Sequence, residues 1–209
     1  MYTLYYGKGA ASLAIHAALK EIGVPYELVA VDLDAGQQRS PEYLRLNPQG
    51  KVPTLLIDGK PFHESAALML MLAERHPHSN LAPPAGSLAR AEWYELVVSM
   101  ANTLGGNFRL WFYPSDIGSS NEDSAVRDAV RQQIESVWAA FDARLAGNGP
   151  YLLGETFSGA DLMLTMYMRW SRNMPRPATD WPALRKYADM MRARASWRHV
   201  TQAEALTGW

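Results

Sequence analysis

The pattern of apolar and polar positions changes character once along the chain. Residues 2–6, YTLYY, are β-branched and aromatic and predict a strand. Residues 12–23, SLAIHAALKEIG, place apolar side chains at helical spacing, with Ser12 available as a cap and Gly23 as a stop. A second strand is expected over 26–33, YELVAVDL, and the β-α-β order makes these two strands parallel. Residues 40–46, SPEYLRL, predict a short helix. Residues 54–63, TLLIDGKPFH, predict two strands joined at Asp58-Gly59, a strong hairpin signal. An apolar helix from about Ser65 to Arg75 closes this β-α-β-α-β-β-α unit.

Prolines and glycines then interrupt every periodicity over HPHSNLAPPAGS, which reads as a linker. Beyond it only helical spacing is found, in LARAEWYELVVSMANTLGGNF, EDSAVRDAVRQQIESVWAAFDARLAG, GADLMLTMYMRWSRN, DWPALRKYADMMRARAS and WRHVTQAEAL. The expected organisation is an α/β domain over 1–76 with a mixed four-stranded sheet, a linker over 77–87, and an all-helical domain over 88–209. No internal repeat is evident.

Composition narrows the chemistry. With 209 residues, 48% hydrophobic content and net charge −1, the chain carries no basic excess that would point to nucleic acid. Its most apolar run, AALMLMLA, is too short to span a bilayer, and the N-terminus lacks the pattern of a leader, so a cytoplasmic protein without a membrane partner is expected. Cysteine is absent. That removes disulfides, thiolate metal ligands and a cysteine nucleophile. His76-Pro-His78 has a chelating spacing but no acidic neighbours, and no metal is expected.

The loop YYGKGAAS, between the first strand and the first helix, has the look of a phosphate-cradling glycine turn. Gly7-x-Gly9-x-x-Ser12 with Asp32 some way on resembles a dinucleotide fingerprint, yet the tight hairpin at Asp58-Gly59 argues against the parallel sheet such a site needs. NPQGKVPTL, residues 47–55, points elsewhere. A Val52-Pro53 step between a glycine turn and a strand is a place for a cis bond, and it leaves the backbone of Val52 free to pair with an extended peptide. Downstream, HESAAL sets Glu64 and Ser65 at a helix start: a carboxylate for an ammonium, and backbone N–H groups for a carboxylate. An amino-acid head group fits that pair.

Taken together, LYYGKGAASLAIHAAL, NPQGKVPTL, HESAALML and GETFSGADLML resemble the cytosolic glutathione transferases, specifically their bacterial, beta-like members. The resemblance covers nearly the whole chain. It implies a thioredoxin-like domain followed by a helical one, a homodimer, and glutathione held in a cleft between the domains as co-substrate. By that resemblance Val52 beside Pro53 pairs with the cysteinyl backbone of glutathione. Glu64 meets its γ-glutamyl ammonium, Ser65 its γ-glutamyl carboxylate, and Lys51 its glycyl carboxylate. In FSGADL, Ser158, Asp161 and Phe157 form a helix-capping element with a structural rather than a catalytic role.

The departure from the family lies in the first loop, where Ala10 and Ala11 stand at the positions of the usual serine and cysteine. Ser12 remains as a donor to the glutathione sulfur or as a plain N-cap, and Tyr6 as a second catalytic candidate or a packing aromatic. Lys8 adds positive charge to the loop. For the hydrophobic electrophile, Trp170 matches a family position near the pocket and Trp111 joins it. Asn102 and Thr103 fall where beta-like enzymes often carry a His-Lys pair. The expected activity is conjugation of the glutathione thiolate to an electrophile. The alternatives are glutathione-dependent reduction of a disulfide or peroxide without a protein cysteine, and a non-catalytic glutathione-binding or interaction protein of the same fold.

Overall fold

The computed structural model describes residues 1–120 and 123–208. The chain divides into two compact units, one of Met1–Pro84 with Arg192–Gly208, the other of Ala85–Met191. In the first, strands β1 (Tyr2–Tyr6), β2 (Tyr26–Ala30), β3 (Thr54–Ile57) and β4 (Lys60–His63) form one sheet in the order β2-β1-β3-β4. β1 and β2 are parallel, and the other two pairings are antiparallel. This is the mixed sheet of a thioredoxin-like domain. Asp58 and Gly59 both take positive φ, 52° and 82°, as a two-residue hairpin turn of mirror-image type requires.

β2 stops three residues short of its expected end. Val31 N–H still reaches the carbonyl of Tyr6, at 2.8 Å, but the carboxylate of Asp32 then accepts the N–H of Ala35, at 2.9 Å, and turns the chain out of the sheet. The core of this unit forms around helix α1 (Leu13–Ile22), whose residues Leu13, Ala14, Ile15, Ala17, Ala18 and Leu19 are buried and which packs on α3 (Ser65–Arg75). Between them α2 (Pro41–Leu46) is capped by Ser40, whose Oγ accepts the N–H of Tyr43 at 3.2 Å. The outlying segment Arg192–Gly208 contributes α9 (Ala195–Ala203), which packs on α1.

The second unit is helical. Its elements are α4 (Leu88–Met100), α5 (Gly106–Phe112), α6 (Ser124–Asn148), α7 (Gly159–Trp170) and most of α8 (Pro182–Ala193). The single helix expected over 88–108 is divided: Ala101–Gly105 is π-helical, and α5 continues from Gly106. The helix expected to begin at Glu122 is seen from Ser124. Glu122, with Asn121 and the C-terminal Trp209 of the expected helical domain, lies outside the described residues. Among the described residues, no strand follows β4, and no helix is long and apolar enough to cross a membrane.

α7 is nearly all buried, and its start is organised by one carboxylate. Asp161 Oδ2 accepts the N–H of Ser158 at 2.8 Å, and Oδ1 accepts the N–H of Leu152 at 3.0 Å and the Tyr187 hydroxyl at 3.0 Å. Burial pushes the Asp161 carboxyl upward, and these donors pull it back; burial and the adjacent carboxylate push the Tyr187 phenol well up, which keeps it a donor. Phe157 packs its ring on Tyr151 at 5.7 Å. The capping element is therefore a folding device for the helical unit, as its sequence suggests. Asp161→Ala strands two backbone N–H groups and a phenol in the interior, and should lower unfolding stability by about 3 kcal/mol or more, read as a reduced urea midpoint.

Candidate active site

The loop after β1 is built around a hydroxyl that points inward. Ser12 is fully buried, and its Oγ donates to the carbonyl of Gly7 at 3.2 Å and accepts the N–H of Gly7 at the same distance. It makes no side-chain cap bond to α1, so the expected N-cap is not formed. The reason is local: Ser12 itself has helical dihedrals, φ −70° and ψ −19°, whereas a capping residue needs extended ones. The loop closes by Ala10 N–H donating to Gly7 carbonyl at 3.0 Å. The N–H groups of Ala11 and Ser12 find no acceptor among the described residues. They lie at the positive end of the α1 dipole.

Glu204, just past α9, holds this loop from below. Its side chain has no exposure; Oε2 accepts the N–H of Gly9 at 2.9 Å and Oε1 meets His16 Nδ1 at 2.8 Å. The imidazole of His16 is buried among the rings of Tyr6, Tyr26 and His199, with centroids at 6.2, 5.6 and 6.1 Å. Tyr6 thus sits half-buried at the end of β1, against His16. Sequence reading had no means to find Glu204, because its partner Gly9 is 195 residues away and a lone glutamate near a chain end carries no local signal.

The turn between α2 and β3 supplies the second component. Val52-Pro53 is cis, as is Gly149-Pro150 in the helical unit. Val52 is half-buried, and its backbone N–H and C=O have no hydrogen-bond partner among the described residues. Pro53 is buried and the Lys51 side chain is exposed. The Lys51 carbonyl is firmly held: Tyr43 Oη donates to it at 2.7 Å and Asn47 Nδ2 at 2.8 Å. Burial raises the Tyr43 phenol and keeps it protonated. Gly50 closes the turn at φ +61°, a left-handed conformation that favours glycine, and a Cβ there would meet the carbonyl of Gln38 tightly at 3.0 Å.

The start of α3 is the third. Ser65 Oγ donates to the carbonyl of Ala11 at 3.0 Å and so ties α3 to the loop over α1. Glu64 is exposed, makes no side-chain cap bond, and takes φ 67° with ψ 112°, outside the regions that residues bearing a Cβ favour. Strain of this kind is held in place by its surroundings and is common where a ligand is gripped. The first unit therefore gathers Ser12, Ala11 and Ser65 directly, with Glu64 adjoining.

Asn102, Trp111 and Trp170 belong to the second unit. Asn102 is exposed on the π-helical segment beside Thr103, whose hydroxyl donates to the Ser99 carbonyl at 2.7 Å. Such segments interrupt helices at functional positions more often than elsewhere. Trp170 joins an aromatic cluster with Phe108, Phe112 and Tyr167, at centroid distances of 5.6, 6.1 and 5.1 Å. Trp111 has a different setting. The guanidinium of Arg127 lies 4.1 Å above its ring, and the two line a shallow pocket of about 370 Å³ with Ser124, Arg131 and Asn173. Trp111 and Trp170 therefore have different neighbours. The His76 ring accepts or donates at Tyr2 Oη, 2.7 Å away, and no group of three or more metal-ligating side chains occurs among the described residues.

The fold has counterparts among known proteins. Residues 1–74 match the family model of the glutathione S-transferase N-terminal domain, and residues 124–189 that of its C-terminal domain. A glutathione S-transferase of Xanthomonas campestris is 31% identical over 206 residues, covering 97% of this chain and 98% of that protein. A glutathione transferase structure from Methylococcus capsulatus matches with TM-score 0.88 at 28% identity, over 99% of this chain and all (100%) of the other. A sphingomonad glutathione S-transferase solved in complex with glutathione matches with TM-score 0.82 at 33% identity, over 98% and 100%. The chain belongs to the glutathione S-transferase family.

The strain at Glu64 can be measured without any ligand. Glu64→Ala keeps a Cβ in the disfavoured region, and Glu64→Gly removes it. The glycine variant should be the more stable of the two by about 1 kcal/mol, in the reverse of the usual alanine-over-glycine order, when their denaturant midpoints are compared.

Proposed function

We propose that the protein binds glutathione on its first unit, stabilises the thiolate with the Ala11 N–H and the helix dipole at the start of α1, and transfers it to a hydrophobic electrophile. The observation that carries this reading is the unpartnered N–H of half-buried Ala11 at the start of α1, beside the Ala11 carbonyl that Ser65 engages. A thiol of pKa about 8.5 is only slightly ionised at neutral pH, and donors at a helix N-terminus lower that value. No protein thiol exists to form a mixed disulfide, so catalysis rests on binding, orientation and electrostatics.

In this reading the Val52 N–H and C=O pair with the cysteinyl backbone of glutathione alongside Pro53. Glu64 receives the γ-glutamyl ammonium. The Ser65 N–H, at the free end of α3, receives the γ-glutamyl carboxylate, and Lys51 the glycyl carboxylate. The Ser12 hydroxyl is engaged with Gly7, so its part is to shape the loop, and the N–H of half-buried Ala11 serves the sulfur. Tyr6 packs beside His16 and backs the same loop. The electrophile lies against Trp170 and its aromatic neighbours, with Trp111 and Asn102 as further contacts, and the working form is a homodimer. The sphingomonad relative's complex with glutathione supports the choice of co-substrate. Detoxification in the cytoplasm is the role this chemistry suits.

Glutathione is titrated into the purified protein while thiolate absorbance is followed from about pH 5 to 9, a range bracketing a depressed thiol pKa. The thiolate should appear well below the pKa of the free thiol, giving a rate that rises with pH through the lowered value and is flat above it. Ser12→Ala should lose stability, yet keep most of the depression. Binding with an unshifted pKa would favour a non-catalytic glutathione-binding protein. Loss of the entire shift in Ser12→Ala, with the fold intact, would return the sulfur contact to the hydroxyl.

A further inference from the structure

We propose that Tyr43 and Asn47 are positioning residues for glutathione, acting through the peptide plane between Lys51 and Val52; this rests on the reading above that Val52 pairs with the ligand backbone. The peptide unit is planar, so whatever fixes the carbonyl of Lys51 fixes the direction of the Val52 N–H on the opposite side of the same plane. Two donors converge on that carbonyl: Tyr43 Oη at 2.7 Å and Asn47 Nδ2 at 2.8 Å. Neither donor competes with water for its position, since Tyr43 is 5% exposed and Asn47 2%.

The network has a direction. Tyr43 Oη spends its proton on Lys51, so its 2.9 Å contact with the buried Thr54 Oγ1 runs from the threonine hydroxyl to the phenol oxygen. Behind Thr54 stands His63 Nδ1, at 3.4 Å, the long end of the series. Asn47 is fixed independently, its Oδ1 accepting the N–H of Gln49 at 3.1 Å and its carbonyl the N–H of Gly50 at 2.9 Å. Donors on a carbonyl also polarise the amide it belongs to, which strengthens the N–H on the other side. A polar network this well satisfied, ending on a peptide whose N–H has no partner among the described residues, organises the ligand edge before the ligand arrives. Preorganisation of this kind appears in affinity rather than in the chemical step.

Tyr43→Phe removes one donor and keeps the ring. With glutathione varied against a chlorodinitrobenzene electrophile, KM for glutathione should rise about fivefold, the size of one hydrogen bond, with kcat at saturating glutathione unchanged. Thr54→Val leaves the Tyr43 to Lys51 bond in place and should give a smaller rise in the same direction; it decides the matter if the phenylalanine variant does not fold. A merely structural role would lower the melting temperature and leave KM where it is, and an unchanged KM in folded Tyr43→Phe overturns the proposal. Calorimetric titration of glutathione into the unaltered protein separates the two levels. Absence of binding there removes the glutathione reading and this role with it, whereas normal binding with indifferent variants removes the positioning role alone.

Discussion

A backbone N–H left in the interior is costly without an acceptor, and the first unit is shaped by where those acceptors come from. The sheet satisfies its own strands, but the loop over α1 makes only a few internal bonds. Glu204 reaches it from past α9 and takes the Gly9 N–H on one oxygen while pairing with His16 on the other. A carboxylate with no exposure is costly to bury, and it is tolerated here because both oxygens are partnered. The result is that residues 192–208, the last described part of the chain, belong physically to the first unit. Linear order and packing order differ, and the loop that faces the ligand in the proposed function depends on the difference.

The same requirement governs the helical unit by another route. There Asp161 serves the N–H groups of Ser158 and Leu152 and the phenol of Tyr187, so that α7 can run through the interior with almost no exposed face. Both units therefore place a carboxylate where the backbone turns into a helix. In the second the need is met within a short stretch of chain, in the first across nearly its whole length.

That contrast explains how much could be read from the sequence. The hairpin at Asp58-Gly59, the helices of 13–22 and 65–75, and the capping element at 158–161 are local, and their residue types declare them. The cis step at Val52-Pro53 was legible for the same reason. Four things were not. Ser12 looked like a cap because serine before an apolar helix usually is one, but its backbone is already helical and its hydroxyl turns back to Gly7. The helix over 88–108 looked continuous because apolar spacing cannot register the π-helical segment at 101–105. Glu204 and Tyr43 act through partners that no window of periodicity connects to them.

The unpartnered N–H groups of Ala11 and Ser12 belong to the main chain, and the main chain is common to every residue except proline. In the proposed function, a sulfur held at the Ala11 N–H is indifferent to which side chain stands at position 10 or 11, provided it is small enough for the loop to close. The loop can drift in sequence without loss of its donors, and proline is the substitution that selection must keep out.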